Sequence, residues 1–136
     1  MSLNSLTLTT GATAIAFTPT GGTSIDLDIA SSNGNVVTVV PELDSDFRTK
    51  RSITFNKTSP RIEPSAPNGY TQVRTKATVK VPILLTNGKY TVNQIKVEVA
   101  YDVETSDAQR LELRSLGAQL FTNAIVAAVW DAQSMG

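Results

Sequence analysis

Neither cysteine nor histidine occurs among the 136 residues. The first absence excludes disulfides, thiolate metal sites and cysteine nucleophiles, and leaves the redox compartment open. The second removes the usual general base and the commonest transition-metal ligand, so a Ser-based triad of the usual form cannot be assembled. No Gly-rich phosphate loop is present. Aromatic residues are sparse, with four Phe, three Tyr and one Trp. No apolar run reaches the roughly 18 residues of a membrane-spanning helix. Met1 to Thr10 lack a basic n-region and a continuous apolar stretch, so they do not read as a signal peptide. The expectation is a soluble, non-enzymatic protein that uses no cofactor or metal and acts without export.

With 40% apolar residues, the chain is long enough for one globular domain over residues 1–136 and too short for two comfortable ones. Its formal net charge is zero, yet the charge is unevenly placed. Residues 1–47 hold five acids, Asp26, Asp28, Glu42, Asp44 and Asp46, and no base. Eight of the twelve Lys and Arg residues fall between Arg48 and Lys80 with one acid, Glu63, a local excess of seven. The i,i+2 pairs Asp26/Asp28 and Asp44/Asp46 read as solvated acids rather than a cation site.

Alternation of side chains dominates the first hundred residues. Ser5–Thr10 and Ala14–Thr18, joined around Gly11, suit a β-hairpin. Ile25, Leu27 and Ile29 then oppose Asp26 and Asp28, and an Asn33-Gly34 turn leads to the β-branched run Val36–Val40. Within Arg48–Thr58, Ile53 and Phe55 share one parity while Lys50, Ser52, Thr54 and Asn56 share the other. After a proline-containing loop at Ser59–Gly69, the segment from Tyr70 alternates again. Gln72, Arg74, Lys76, Thr78 and Lys80 oppose Val73, Ala77, Val79 and Val81. Asn87-Gly88 marks a hairpin, and Ile95, Val97, Val99, Tyr101 and Val103 oppose Gln94, Lys96, Glu98 and Asp102. Such strands carry a basic row on one sheet face and an apolar row on the other.

The period then changes to that of a helix. Ser106 stands at an N-cap with Asp107 inside it, and Leu113, Leu116, Leu120 and Ala124 form a helical stripe, with Thr122-Asn123 as a break between two helices. Strands followed by helices give an α+β fold: residues 1–30 as hairpin and following strand, 35–104 as an antiparallel sheet of about five strands, and 106–132 as two helices. About 25 residues of helix cannot cover an apolar face that broad. The economical answer is an obligate homodimer in which helices of each subunit lie across the other's sheet.

The element order resembles the coat proteins of the small single-stranded RNA bacteriophages, the levivirus family. The passages that carry the likeness are Lys50-Arg51-Ser52-Ile53-Thr54-Phe55, Thr75-Lys76-Ala77-Thr78-Val79-Lys80-Val81-Pro82 and Ser106-Asp107-Ala108-Gln109-Arg110 before Leu113-Arg114. The resemblance implies an interlocked homodimer whose two sheets join edge to edge into one continuous sheet, lining an icosahedral shell assembled in the bacterial host cytoplasm. It also implies genomic RNA on the inner face and, as in several members, translational repression through one hairpin. Carried onto this sequence, the RNA face is Lys50, Ser52, Thr54 and Asn56, then Arg74, Lys76, Thr78 and Lys80, then Gln94, Lys96 and Glu98. The turn Thr86, Asn87, Gly88 and Lys89 corresponds to the loop that gathers at symmetry axes. One departure stands out: relatives place a base-stacking tyrosine where this chain has Gln94, two residues before Lys96, although Tyr90 shares that parity. The competing expectation is a β-rich RNA-binding or adaptor module that does not assemble.

Overall fold

Every strand pairs with its neighbour in sequence, so the sheet is a meander joined by two short turns and two longer loops. A computed structural model describes residues 3–135. Five antiparallel strands lie in the order β1 (Leu27–Asn33), β2 (Val36–Pro41), β3 (Ser52–Thr58), β4 (Val73–Leu84) and β5 (Tyr90–Tyr101). Helices α1 (Asp107–Thr122) and α2 (Ala124–Ala132) follow. Two compact units result: the sheet unit, Thr20–Val103, and a helical unit made of the N-terminal segment to Pro19 with the chain from Glu104 onward.

Turn chemistry fixes the register of the sheet unit. Gly34, at φ 58°, takes the first central position between Asn33 and Val36, which pair across the β1–β2 turn. Gly88, at φ 82°, closes a longer turn in which Leu85 N–H donates to Lys89 O at 2.8 Å and Gly88 N–H to Leu85 O at 3.0 Å. A side chain at either glycine would strain the backbone. The β4–β5 pairing is regular from Val73↔Tyr101 to Leu84↔Tyr90, whereas β1 carries a bulge between Ile29 and Ser31.

Several expected boundaries shift. The first strand begins at Leu27, not Ser24, and β3 begins at Ser52, because Arg48–Arg51 belong to a loop tied down by acids. The expected N-terminal hairpin is not formed as paired strands. In its place the segment lies on α1, whose side chains supply the partners that a second strand would have supplied. Thr9 N–H donates to Gln119 Oε1 at 2.6 Å and Gln119 Nε2 donates back to Thr9 O at 2.9 Å, so one side-chain amide imitates a strand's hydrogen-bonding pair. Gly11 N–H donates to Glu112 Oε2 and Asn123 Nδ2 to Thr7 O. Glu112, Gln119 and Asn123 share one helix face at i, i+7 and i+11.

The helical caps form where expected. Ser106 Oγ accepts from Gln109 N–H while Gln109 Oε1 accepts from Ser106 N–H, a complete capping box. Asn123 ends α1 and caps α2, its Oδ1 accepting from Ile125 N–H at 2.9 Å. Trp130 stacks on Phe121 at 5.1 Å between centroids and donates Nε1–H to Leu120 O. Ser106→Ala should lower unfolding stability by about 1 kcal/mol, read from urea denaturation at fixed chain concentration. An unchanged midpoint would show that the box contributes nothing.

Candidate nucleic-acid interface

Register places the polar residues of four strands on one face in four cross-strand rows. One row runs Thr38–Thr54–Thr78–Lys96, the next Val36–Asn56–Lys76–Glu98, the third Ser52–Lys80–Gln94 and the fourth Thr58–Arg74–Ala100. Adjacent strands lie about 4.8 Å apart and same-face neighbours along a strand about 6.6 Å apart. Thr38 Oγ1 and Thr54 Oγ1 are in hydrogen-bonding contact at 3.2 Å. The face is therefore a half-buried ladder of threonines with exposed Lys76, Lys80 and Lys96 around it. The opposite face aligns Ile53–Val79–Ile95 and Phe55–Ala77–Val97, as the alternation predicts.

Most of the predicted site residues meet on that one face. Lys50 does not belong to the rows, since it precedes β3 in the β2–β3 loop and has no strand parity. Thr86, Asn87, Gly88 and Lys89 form the β4–β5 turn, away from the rows, with Asn87 Oδ1 accepting from Lys89 N–H. Thr38 is the member that sequence reading missed. Its signal was available, as the one hydroxyl within the Val36–Val40 run, but only the β2–β3 register connects it to Thr54.

Pairing decides which cations remain available. Arg74 donates to Glu98 Oε1 at 2.8 Å and to Gln72 Oε1 at 3.3 Å. Arg51 makes a two-pronged contact with Asp44, through Nε and NH2 at 2.9 Å each, and Asp44 also accepts from its backbone N–H. Arg48 engages Asp46 in the same way and lies 5.5 Å from the Tyr90 ring centroid. Lys76, Lys80 and Lys96 enter no ion pair among the described residues. Asp44 and Asp46 are thus held by arginines, and no group of three or more potential ligands for a metal occurs among the described residues.

No family model matches the sequence, and neither does any of the curated proteins compared with it. Among solved structures, the virus-like particle of bacteriophage GQ-907 is similar at a TM-score of 0.85 and 26% identity, over 99% of this chain and 100% of that one. The chain has the RNA-bacteriophage coat-protein fold. The virus-like particle of bacteriophage AVE019 shares this coat-protein fold at TM-score 0.68 and 9% identity, over 85% of this chain and 91% of that one. That of bacteriophage ESE058 does so at 0.61 and 11%, over 82% and 86%. The coat-protein fold thus extends over sequences that share few residues with this one.

The paired acids generate a pH prediction. The Arg51 side chain, then its backbone N–H, stabilises the charged Asp44 carboxylate and lowers its pKa from the ordinary 3.8 to about 2. Because the folded value is depressed, the pair's contribution to stability is complete above the ordinary carboxylate range and is lost as pH falls toward 2. An NMR titration of Asp44 should show a midpoint near 2, and Arg51→Ala, which removes the guanidinium and keeps the backbone N–H, should raise it part of the way toward the ordinary range. A midpoint unchanged by that substitution would refute the pairing as its cause.

Proposed function

We propose that this chain is a capsid protein that dimerises through the free edge of β5, builds an icosahedral shell and holds single-stranded RNA on the Thr38–Thr54–Thr78 face. The observation that carries the reading is that face: unpaired lysines on one side of a sheet whose other side is apolar. The virion is the location that follows, and the role is structural rather than enzymatic. The full-length likeness to a subunit of a virus-like particle supports the shell.

Dimerisation is supported by what the single chain leaves uncovered. Among the described residues, Val126, 5% exposed, is the one buried member of a hydrophobic core. Ile95 is 52% exposed and Phe55 43%. The twelve-residue β5 is a long, regular edge with no bulge to deter pairing, so a second copy is its natural neighbour.

The RNA reading rests on charge before sequence recognition. Lys76, Lys80 and Lys96 neutralise phosphates, while Ser52, Asn56 and the threonines present hydrogen-bonding groups to unstacked bases. At Gln94 there is no aromatic ring, and Tyr90 already lies under Arg48. Packaging contacts therefore fit better than tight repression through one hairpin.

Expression of the chain alone should give closed particles with nuclease-protected RNA, measured by light scattering and RNA recovery. Monomers or free dimers without RNA at every concentration would overturn the proposal. Replacing Lys76, Lys80 and Lys96 by Gln should leave dimers intact and reduce the slope of log affinity against log salt by about 2, from about 0.7 per single-strand phosphate contact. An unchanged slope would place the RNA elsewhere.

A further inference from the structure

The β2–β3 loop, residues 42–51, displays two large apolar side chains that the reading above does not use. Leu43 is 84% exposed and Phe47 86%, the highest values for large hydrophobic residues among those described. A single exposed apolar residue is ordinary. Here two project from a loop held by paired charges: Asp44 to Arg51 and Asp46 to Arg48, with Asp44 N–H bonded to Pro41 O and Thr49 N–H to Asp46 O. Side chains presented on a pre-ordered loop lose less entropy when they dock.

Position and charge narrow the choice of partner. Arg48 over Tyr90 brings the loop to the sheet end where β5 begins. At that same end the β4–β5 turn leaves Leu84 59% exposed and Leu85 38%. Glu42, Asp44 and Asp46 balance Arg48, Lys50 and Arg51, so the loop has no net charge. It is a poor surface for a polyanion and presents no net like-charge repulsion to another copy of itself. Under the proposed function the β5 edge serves the dimer, one sheet face meets apolar cover and the other RNA. A closed shell also requires contacts between dimers, and this sheet end carries the most exposed large apolar side chains among the described residues, outside both the β5 edge and the two sheet faces.

We propose that the loop is an assembly contact in which Leu43 and Phe47 of one dimer pack against an adjoining dimer of the same chain. This inference rests on the shell reading and adds to it the residues that join dimers. Leu43→Ser combined with Phe47→Ser, in the full chain, should leave the dimer and its thermal midpoint unchanged. The dimer concentration needed for particles should rise by about tenfold or more, as expected when apolar anchors are lost. Particles at the wild-type concentration would overturn the inference while leaving the shell reading in place, and so would loss of the dimer, since the patch would then belong to that interface. If the unaltered chain formed no particles, the shell reading would fail and this inference with it. A second readout uses the absence of native cysteine: Phe47→Cys introduces the sole thiol, whose maleimide labelling should be at least about tenfold slower in particles than in free dimers if the contact excludes solvent. Equal labelling rates would overturn the contact.

Discussion

An antiparallel sheet whose one face is apolar must cover that face, and the sheet unit, Thr20–Val103, supplies no cover of its own. Ile95, Val97 and Phe55 remain between 38% and 52% exposed, and Val126 is the lone buried member of a core among the described residues. Burial of apolar surface is the main favourable term in folding, so on the proposed reading association supplies what the sheet lacks. The two sheet edges differ accordingly. β1 is short and bulged, which discourages pairing, while β5 runs twelve residues in unbroken register. The proposed dimer answers both features at once, with a second copy extending the sheet and closing its apolar side.

Charge is sorted as sharply as polarity. The arginines of the basic segment with nearby acids are taken by them: Arg48 by Asp46, Arg51 by Asp44 and Arg74 by Glu98. The lysines on the sheet rows are not. A guanidinium matches a carboxylate with two parallel hydrogen bonds, so it suits a fixed structural pair, whereas an ammonium on a flexible stem suits a mobile phosphate. The local excess of positive charge in the sequence thus divides into arginines that shape a loop and lysines available on a face.

Legibility in the sequence followed the range of the interaction responsible. Parity in Ile53/Phe55, Val79/Val81 and Val97/Val99 predicted the two faces, because a strand's alternation is local. Ser106 and Asn123 announced the helix caps for the same reason. The N-terminal segment mimics a hairpin in sequence because Thr9 pairs with Gln119, 110 residues away, and no local pattern distinguishes a backbone that bonds to a side-chain amide from one that bonds to a strand. Lys50 was assigned to β3 because alternation continues through Arg51. Asp44, seven residues earlier, captures Arg51 and holds the chain in a loop. Thr38 was overlooked because membership of the site depends on which strands are neighbours, a property of the register.

The similarity at 26% identity and TM-score 0.85 has a physical reading. Alternation, a positive-φ glycine in a turn and an N-cap can each be met by several residue types, so the fold tolerates wide substitution. The polar rows are under weaker folding constraint still, since almost any hydrophilic residue is acceptable on an open sheet face. What such a face binds can therefore diverge faster than the fold that displays it, and Gln94 is such a divergence on the proposed reading. Tyr90 does not restore the missing ring at no cost: a base stacking there meets Arg48, which Asp46 holds through side-chain and backbone contacts. On the proposed reading, affinity without that stack falls to phosphate neutralisation by lysines, which favours RNA in general over one hairpin in particular.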